Sequence, residues 1–265
     1  MKLINVSDMH TLHKAAIACE MEYDDGDDYT PNRLQKILHR WWGEIFSEVK
    51  AHVKGHEVKL LIGGDCVDGF HNHGTEQVWG TALQQAQMAI ELLAPYAKLA
   101  PASVYGLKGT PSHAGSDSEF DRLVIKELGG KCAYHWRLDF DGKLIDWAHH
   151  CTLPKDPRNY EAALERQASL IVRRYREAGE RVPDLILRQH VHRFARGFTG
   201  SIPMITGLGW KLRDEYLAKI DPLGFYEVGV LVFDTADLAN PKIFSRKGME
   251  DAITKVETKK SRHAR

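Results

Sequence analysis

The sequence predicts an α/β layered fold in one domain, on three observations. Short apolar runs of strand length alternate with longer stretches that carry apolar residues at helical spacing. Several of the short runs stop abruptly at Asp or His. No internal repeat or linker divides the chain, and 265 residues are enough to bury a full core.

Lys2 to Val6 reads as a buried strand that halts at Ser7-Asp8-Met9-His10. An acidic, turn-rich stretch from Asp24 to Asp28 follows, and Thr30-Pro31 is expected to open a helix as N-cap and first-turn proline. Leu34, Ile37, Leu38, Trp41, Trp42, Ile45, Phe46 and Val49 give that helix an apolar stripe. Val58 to Ile62 is a second strand, ending at Gly63-Gly64-Asp65, and Gln77 to Leu99 reads as a helix. Val104 to Leu107 is a strand leading into Gly109-Thr110-Pro111-Ser112-His113, with a helix from Glu119 to Leu128 beyond it. Trp136 to Phe140 and Lys143 to Trp147 read as a hairpin around Asp141-Gly142, whose second strand runs into His149-His150. Asn159 to Gly179 is a long helix, Pro183 to Leu187 a strand ending at His190-Val191-His192, and strands near Pro203 to Ile205 and Tyr226 to Phe233 close the fold. Residues 1–254 form the expected domain, and 255–265 read as a flexible basic tail.

Composition narrows the function classes. Lys and Arg total 36 and are balanced by 36 Asp and Glu, so no global field draws the protein to nucleic acid or anionic lipid. The cysteines, Cys19, Cys66, Cys132 and Cys151, are scattered without a C-x-x-C pair, which argues against a disulfide framework or a thiolate zinc site. No apolar stretch approaches the ~18 residues of a membrane span, and the N-terminus has no secretory h-region, so a cytoplasmic protein is expected. The 14 histidines matter for their placement.

Metal-ligand residue types recur at five strand ends: Asp8-Met9-His10, Gly64-Asp65-Cys66-Val67-Asp68, Gly109 to His113, His149-His150 and His190-Val191-His192. Oxygen and imidazole donors suit ions such as Mn, Fe, Ni, Co or Zn. Adjacent strands lie only ~4.8 Å apart, so residues at neighbouring ends converge. The carboxyl edge of a sheet is the usual place for a site in open α/β folds.

This ordered series resembles the calcineurin-like metallophosphoesterase superfamily, whose pattern is D-x-H, G-D-x-x-D, G-N-H-[DE], a lone H, then G-H-x-H; the resemblance spans Asp8 to His192. It implies a four-layer α/β/β/α sandwich with mixed sheets and a phosphoesterase that uses two divalent ions, manganese first among those named. Asp8 and His10 would bind the first metal and Asp65 would bridge; His190 would bind the second with His149, taken over the alternative His150 as the first histidine after the strand, and His192 would return to the first. Asp68, Thr110 and His150 would touch and orient the ligands. A hydroxide between the metals would attack phosphorus in line. Small single-domain members of the family often cleave diesters, so a phosphodiesterase is the expected activity. The alternatives are a phosphomonoesterase, a nuclease, or a non-catalytic metal- or nucleic-acid-binding member. The substrate would be a phosphate ester, including a nucleotide or nucleic acid, with no membrane partner.

Two departures stand out. Gln189 replaces the glycine of G-H-x-H, a change expected to alter only a turn. Thr110 replaces the asparagine of the third motif, and the histidine arrives two residues late as His113. In the family the asparagine binds the second metal and the adjoining histidine assists the leaving group. His113 is therefore expected either as that acid or as a substitute second-metal ligand. The altered motif is also similar to that of phage-encoded members. Residues 11–57 look longer than the family core needs and are expected to contribute a cap over the metals.

Other features have blander readings. His71-Asn72-His73 with Glu76 reads as a loop or a substrate-facing wall. His13, His39, His52, His56 and His135 read as exposed or packed, Trp41-Trp42 as core, and Asp24 to Asp28 as a solvated loop without EF-hand spacing.

Overall fold

A computed structural model describes residues 1–23, 26–69, 80–114, 118–154, 156–212 and 227–247. In chain order, β1 (Lys2–Val6) is followed by a two-residue hairpin of β2 (Met21–Glu22) and β3 (Asp28–Tyr29), then α1 (Arg33–Val53), β4 (Val58–Ile62), α2 (Ala82–Ala97) and β5 (Val104–Leu107). A single helical turn, α3 (Pro111–Ala114), precedes α4 (Glu119–Glu127), β6 (Lys131–Ala133) and the hairpin of β7 (His135–Phe140) and β8 (Lys143–Ala148). The remainder is α5 (Tyr160–Glu177), β9 (Leu185–Arg188), β10 (Ala195–Thr199), β11 (Ile202–Thr206), β12 (Glu227–Asp234) and β13 (Asp237–Lys247).

The strands form two mixed sheets. One has the order β13-β12-β1-β4-β5-β6, the other β10-β11-β9-β8-β7. In the first, β1, β4, β5 and β6 run parallel. In the second, β8, β9 and β11 do. Alternation along each strand then sorts side chains into three apolar layers. Leu3, Leu61, Leu107 and Phe233 meet Ile145, Trp147, Leu185 and Leu187 between the sheets. Ile4, Val6, Leu60 and Ile62 face the other way, onto Leu38 and Ile45 of α1, Leu93 of α2 and Val124 of α4. Ile186 and Met204 pack on Leu164, Ala168 and Val172 of α5. Helices thus cover both outer faces, and the architecture is the expected four-layer α/β/β/α sandwich.

Several elements refine the sequence reading. Asn32, not Thr30, caps α1, because Asn32 and Gln35 exchange a reciprocal pair of hydrogen bonds that leaves Thr30-Pro31 outside the helix. Within 11–57, α1 packs against β12 and β13 as part of the outer helical layer. Trp42 is buried, edge-on to Tyr96 and Trp210, as a core residue. Asp141 and Gly142 both take left-handed φ, the turn expected of the β7–β8 hairpin. His13 is 1% exposed. Asp24, Asp25, His71-Asn72-His73, Glu76, the expected start of α2 at Gln77 and the basic tail lie outside the described residues. No described helix is long and apolar enough to cross a membrane.

A buried charge cluster fastens the second sheet to α5. Asp146 of β8 takes hydrogen bonds from Arg188 Nη2 at 2.6 Å and Tyr175 Oη at 2.6 Å, and meets His135 Nε2 at 2.9 Å. Burial alone would raise this carboxyl, but His135, Arg188 and Tyr175 outweigh it and hold it at about 2. A carboxyl held below its ordinary 3.8 stabilises the fold above pH 4 and loses that contribution, about 2 kcal/mol, as pH falls towards 2. Asp146→Ala strands Arg188, 8% exposed, without its counter-charge, and is expected to cost ~3–5 kcal/mol in denaturant unfolding at pH 7. The gap to wild type should narrow below pH 4; equal stability of the two proteins at pH 7 would contradict this role.

Candidate metal centre

The site is built where the carboxyl ends of the two sheets meet. After β1 and β4 the chain is stitched by backbone bonds: Asp8 N to Gly64 O, His10 N to Asp65 O and Thr11 N to Cys66 O, each 3.0 Å. Trp210 N reaches Asp8 O at 2.8 Å, and Gln189 N reaches His149 O at 2.9 Å. These ties hold Asp8, His10, Asp65, His190 and His192 at φ of 52°, 46°, 50°, 75° and 51°, the left-handed region that side chains avoid. Such residues cost ~1–3 kcal/mol each and persist where surrounding structure over-determines them. The crowding also dictates glycine at two positions. A Cβ on Gly109 would lie 2.1 Å from Asp65 Oδ1, and one on Gly64, at φ +89°, would lie 2.9 Å from the Gly109 backbone.

Asp65 sits at the centre, fully buried. Its Oδ1 accepts from Thr110 N at 2.6 Å, and its Oδ2 meets Thr110 Oγ1 at 3.0 Å and His149 Nε2 at 3.1 Å. His149 Nδ1 donates to Gly63 O at 2.7 Å, which turns Nε2 inward. Asp8 Oδ1 lies 3.2 Å from His192 Nε2, while its Oδ2 accepts from Ser7 Oγ and, at 3.3 Å, from His190 N. His10 Nε2 faces His192 Nε2 at 3.1 Å, and His10 Nδ1 lies 2.9 Å from Asp68 Oδ1. With Nδ1 holding its proton towards Asp68, the facing Nε2 of His10 is a lone pair directed into the cluster.

The donor atoms fall into overlapping sets whose members lie within 4.8 Å of one another. Asp8, His10 and His192 form one; Asp8, Asp65, His149 and His190 form another. These correspond to the first- and second-metal groups expected from the sequence, with one addition: Asp8 touches both. Asp65 also joins His10 and His113, so it has partners on either side, as a bridging carboxylate would. His149, His150 and His190 make a further set. Carboxylates and imidazoles gathered in these largely buried clusters fit divalent transition ions.

His113 stands with His10 and Asp65, not with the His149–His190 group, among the described sets. Pro111 opens the single turn α3, which returns His113 to the site despite its late position in the chain. Its Nδ1 lies 2.9 Å from Asp68 O, and its ring is edge-on to His10 with centroids 4.6 Å apart. Gly69, at φ +68°, leaves the space this needs, because a Cβ there would lie 2.2 Å from His113 O.

The electrostatics suit cation binding. Burial opposes charge on Asp8 and Asp65, yet the adjoining His192 and His149 hold both carboxyls well below the ordinary range. Burial lowers His10 to about 3 and also lowers His190, so both are neutral at pH 7, the ligand form of imidazole. His149 differs: burial works against its charge, but Asp65 raises it to about 10. In the absence of a metal, a proton on His149 therefore offsets the buried carboxylates.

Three supporting residues escaped the sequence reading. Asp121 on α4 accepts from Cys66 N at 2.9 Å, Gly109 N at 2.7 Å and Asp65 N at 3.3 Å, pinning two loops at once. Burial and the charge of Asp65 raise it to about 6. An acid in the first turn of the helix after the third motif was the available signal. Lys211, 6% exposed, donates to Asp68 Oδ1 at 3.0 Å. Gln85 Oε1 accepts from Asp68 N at 3.0 Å and Gly69 N at 2.9 Å. Gln189, expected to change only a turn, does more. It is fully buried and donates from Nε2 to Asn5 Oδ1 at 3.2 Å, tying β9 to β1 beneath the centre.

No family model and no curated protein matches the chain. Among solved structures, a novel archaeal phosphodiesterase is similar at 12% identity and a TM-score of 0.44, over 94% of this chain and 100% of that one. Vps29 from Entamoeba histolytica, complexed with zinc, is similar at 13% identity and a TM-score of 0.41, over 93% and 99%. A conserved uncharacterised protein of Streptococcus pneumoniae, described as a predicted phosphoesterase, is similar at 12% identity and a TM-score of 0.37, over 92% and 97%.

Proposed function

We propose that this chain is a two-metal phosphoesterase of the calcineurin-like type, acting on phosphodiesters. The observation that carries the reading is the pair of adjoining carboxylate–imidazole sets that share Asp8 and meet at Asp65. Asp8, His10 and His192 would hold one ion, Asp65, His149 and His190 the other, with Asp65 between them. Two such ions supply a hydroxide nucleophile at neutral pH and neutralise charge on the phosphoryl oxygens. The chain's own groups arrange the rest. Asp68 orients His10 through Nδ1, and Lys211 and Gln85 hold Asp68 and its backbone in place.

His113 is assigned to protonating the leaving group. In support, its Nδ1 faces the Asp68 carbonyl, which leaves Nε2 as the second ring nitrogen, and its side chain is 16% exposed beside His10 and Asp65. Its position apart from His149 and His190 counts against a role as second-metal ligand. Thr110 donates to Asp65 and so orients the bridging carboxylate.

Hydrolysis of an aryl phosphodiester and an aryl monophosphate by purified protein, with and without Mn²⁺, tests the reading. Metal-dependent turnover with the diester faster is expected. Faster monoester turnover would reverse the substrate class, and no turnover of either with both metals bound would favour a non-catalytic member.

Asp65→Asn is expected to lose more activity than Asp68→Asn. The bridge contacts both ions, whereas residues that orient ligands typically contribute ~10–100-fold. Equal losses in folded proteins would displace Asp65 from the bridge.

His113→Ala is expected to retain both metals and to slow an alkyl phosphodiester by ~10²–10⁴-fold. A nitrophenyl diester, whose leaving group needs little protonation, should slow far less. Uniform slowing with loss of one ion would make His113 a ligand instead.

A further inference from the structure

We infer that His150 is a ligand of the second metal position, supplying the donor that Thr110 cannot. The inference rests on the two-metal reading above and concerns a residue that the sequence offered as an alternative to His149, not as a ligand beside it.

The second position is short of a neutral donor. Thr110 stands where an asparagine amide would coordinate, and its hydroxyl does lie among the ligand atoms, 3.4 Å from both His149 Nε2 and His190 Nδ1. That hydroxyl, however, donates to Asp65 Oδ2 at 3.0 Å, next to the 2.6 Å bond from Thr110 N to Oδ1. Thr110 is committed to aiming the carboxylate. His113, the other substitute open from the sequence, belongs to the set of His10 and Asp65.

His150 is placed to fill the gap. One of its ring nitrogens lies within 4.8 Å of ligand atoms on both His149 and His190. Its ring is edge-on to each, with centroids at 5.1 and 5.3 Å and interplanar angles of 82° and 69°. Three imidazoles around a tetrahedral ion with ~2.1 Å bonds bring their nitrogens to ~3.4 Å from one another, a contraction of little more than 1 Å from that limit. His150 is exposed, so its ring can make that movement without disturbing the core. The bland reading, a solvent-facing histidine beside a ligand, accounts for the exposure but not for the convergence on two other imidazoles.

A set of three imidazoles, from His149, His150 and His190, contains more nitrogen than the family's amide-bearing site. Nitrogen-rich tetrahedral sites favour Zn²⁺, Co²⁺ and Ni²⁺ over Mn²⁺. The second position should therefore discriminate against manganese.

The test uses the full chain stripped by chelator and titrated with Zn²⁺ and Co²⁺, read by calorimetry and by visible Co²⁺ absorption. Wild type is expected to take up two equivalents. His150→Ala should weaken the second by ~10-fold or more, on the scale at which even outer partners of metal ligands act, and should change the Co²⁺ spectrum. His150→Asn, which restores an amide, should regain part of the affinity and raise Mn²⁺ relative to Zn²⁺. Because His150 is exposed, the metal-free melting temperature should not move. Unchanged second-equivalent affinity and spectrum in His150→Ala would overturn this inference and leave the two-metal reading intact. So would a metal-free melting temperature that falls with the affinity, since His150 would then act through the fold. A single equivalent in wild type would overturn the two-metal reading, and this inference with it.

Discussion

The hydrogen bond from His149 Nδ1 to Gly63 O, 2.7 Å long, joins the end of β8 in one sheet to the end of β4 in the other. The geometry of the metal centre depends on this junction. Without it, the ligands on Asp8, His10 and Asp65 would belong to one layer, and those on His149, His190 and His192 to another. The hydrogen bond from the Gln189 side-chain amide to Asn5 Oδ1 repeats the tie beneath it. Room for both comes from glycine. A Cβ on Gly63 would lie 2.2 Å from Ser7 Oγ, and one on Gly207 would lie 1.8 Å from Gln189 Oε1. The Leu and Ile layer between the sheets sets their separation, and the polar ties at the edge use that separation to bring two ligand sets together.

Joining two sheets at a polar edge opposes stability. Left-handed ligand residues and buried carboxylates are both unfavourable. The chain offsets this locally, by backbone N–H donors to Asp121 and Asp65, and at a distance, by three apolar layers. The Asp146 cluster lies on the far face of the second sheet, and it shows the difference between a buried charge kept for structure and one kept for chemistry. Asp146 has its counter-charge, Arg188, within the fold. Asp8 and Asp65 rely on histidines that are neutral donors when a cation is present. A bound cation would supply the positive charge that the protein alone leaves to a proton on His149.

The parts legible in the sequence were those with a strong local signal. β1, β4 and β5 have the bounds their apolar runs predict, and the β7–β8 hairpin follows its Asp-Gly turn. β6, β10 and β13 were missed for one physical reason: they are edge strands. An edge strand buries few side chains, so Lys131–Ala133, Ala195–Thr199 and Asp237–Lys247 carry polar or mixed residues. The same logic divides the site. Asp8, His10, Asp65, His190 and His192 sit directly at strand ends, where motif spacing makes them visible. Asp121, Lys211 and Gln85 reach the centre from helices or distant loops; of these, only Asp121, an acid in the first turn of the helix after the third motif, carries a local signal. Gln189 was visible but undervalued, because replacing a glycine says nothing about where the new side chain goes.

The third motif shows how one departure propagates. Thr110 cannot span the distance of an amide, and its short side chain instead turns to Asp65 Oδ2. That fixes the orientation of the Asp65 carboxylate and commits the Thr110 hydroxyl to it. Proline at 111 begins a helical turn immediately, and the turn delays the histidine without removing it from the centre. Asp121 reaches the backbone N–H groups of Asp65, Cys66 and Gly109 from the first turn of α4. His150 stands beside His149 and His190 at the solvent edge of the cluster. On the proposed two-metal reading, exchanging the neutral donor while keeping the carboxylate framework would change which ion is held most tightly, and the sheets would still set where the ions sit.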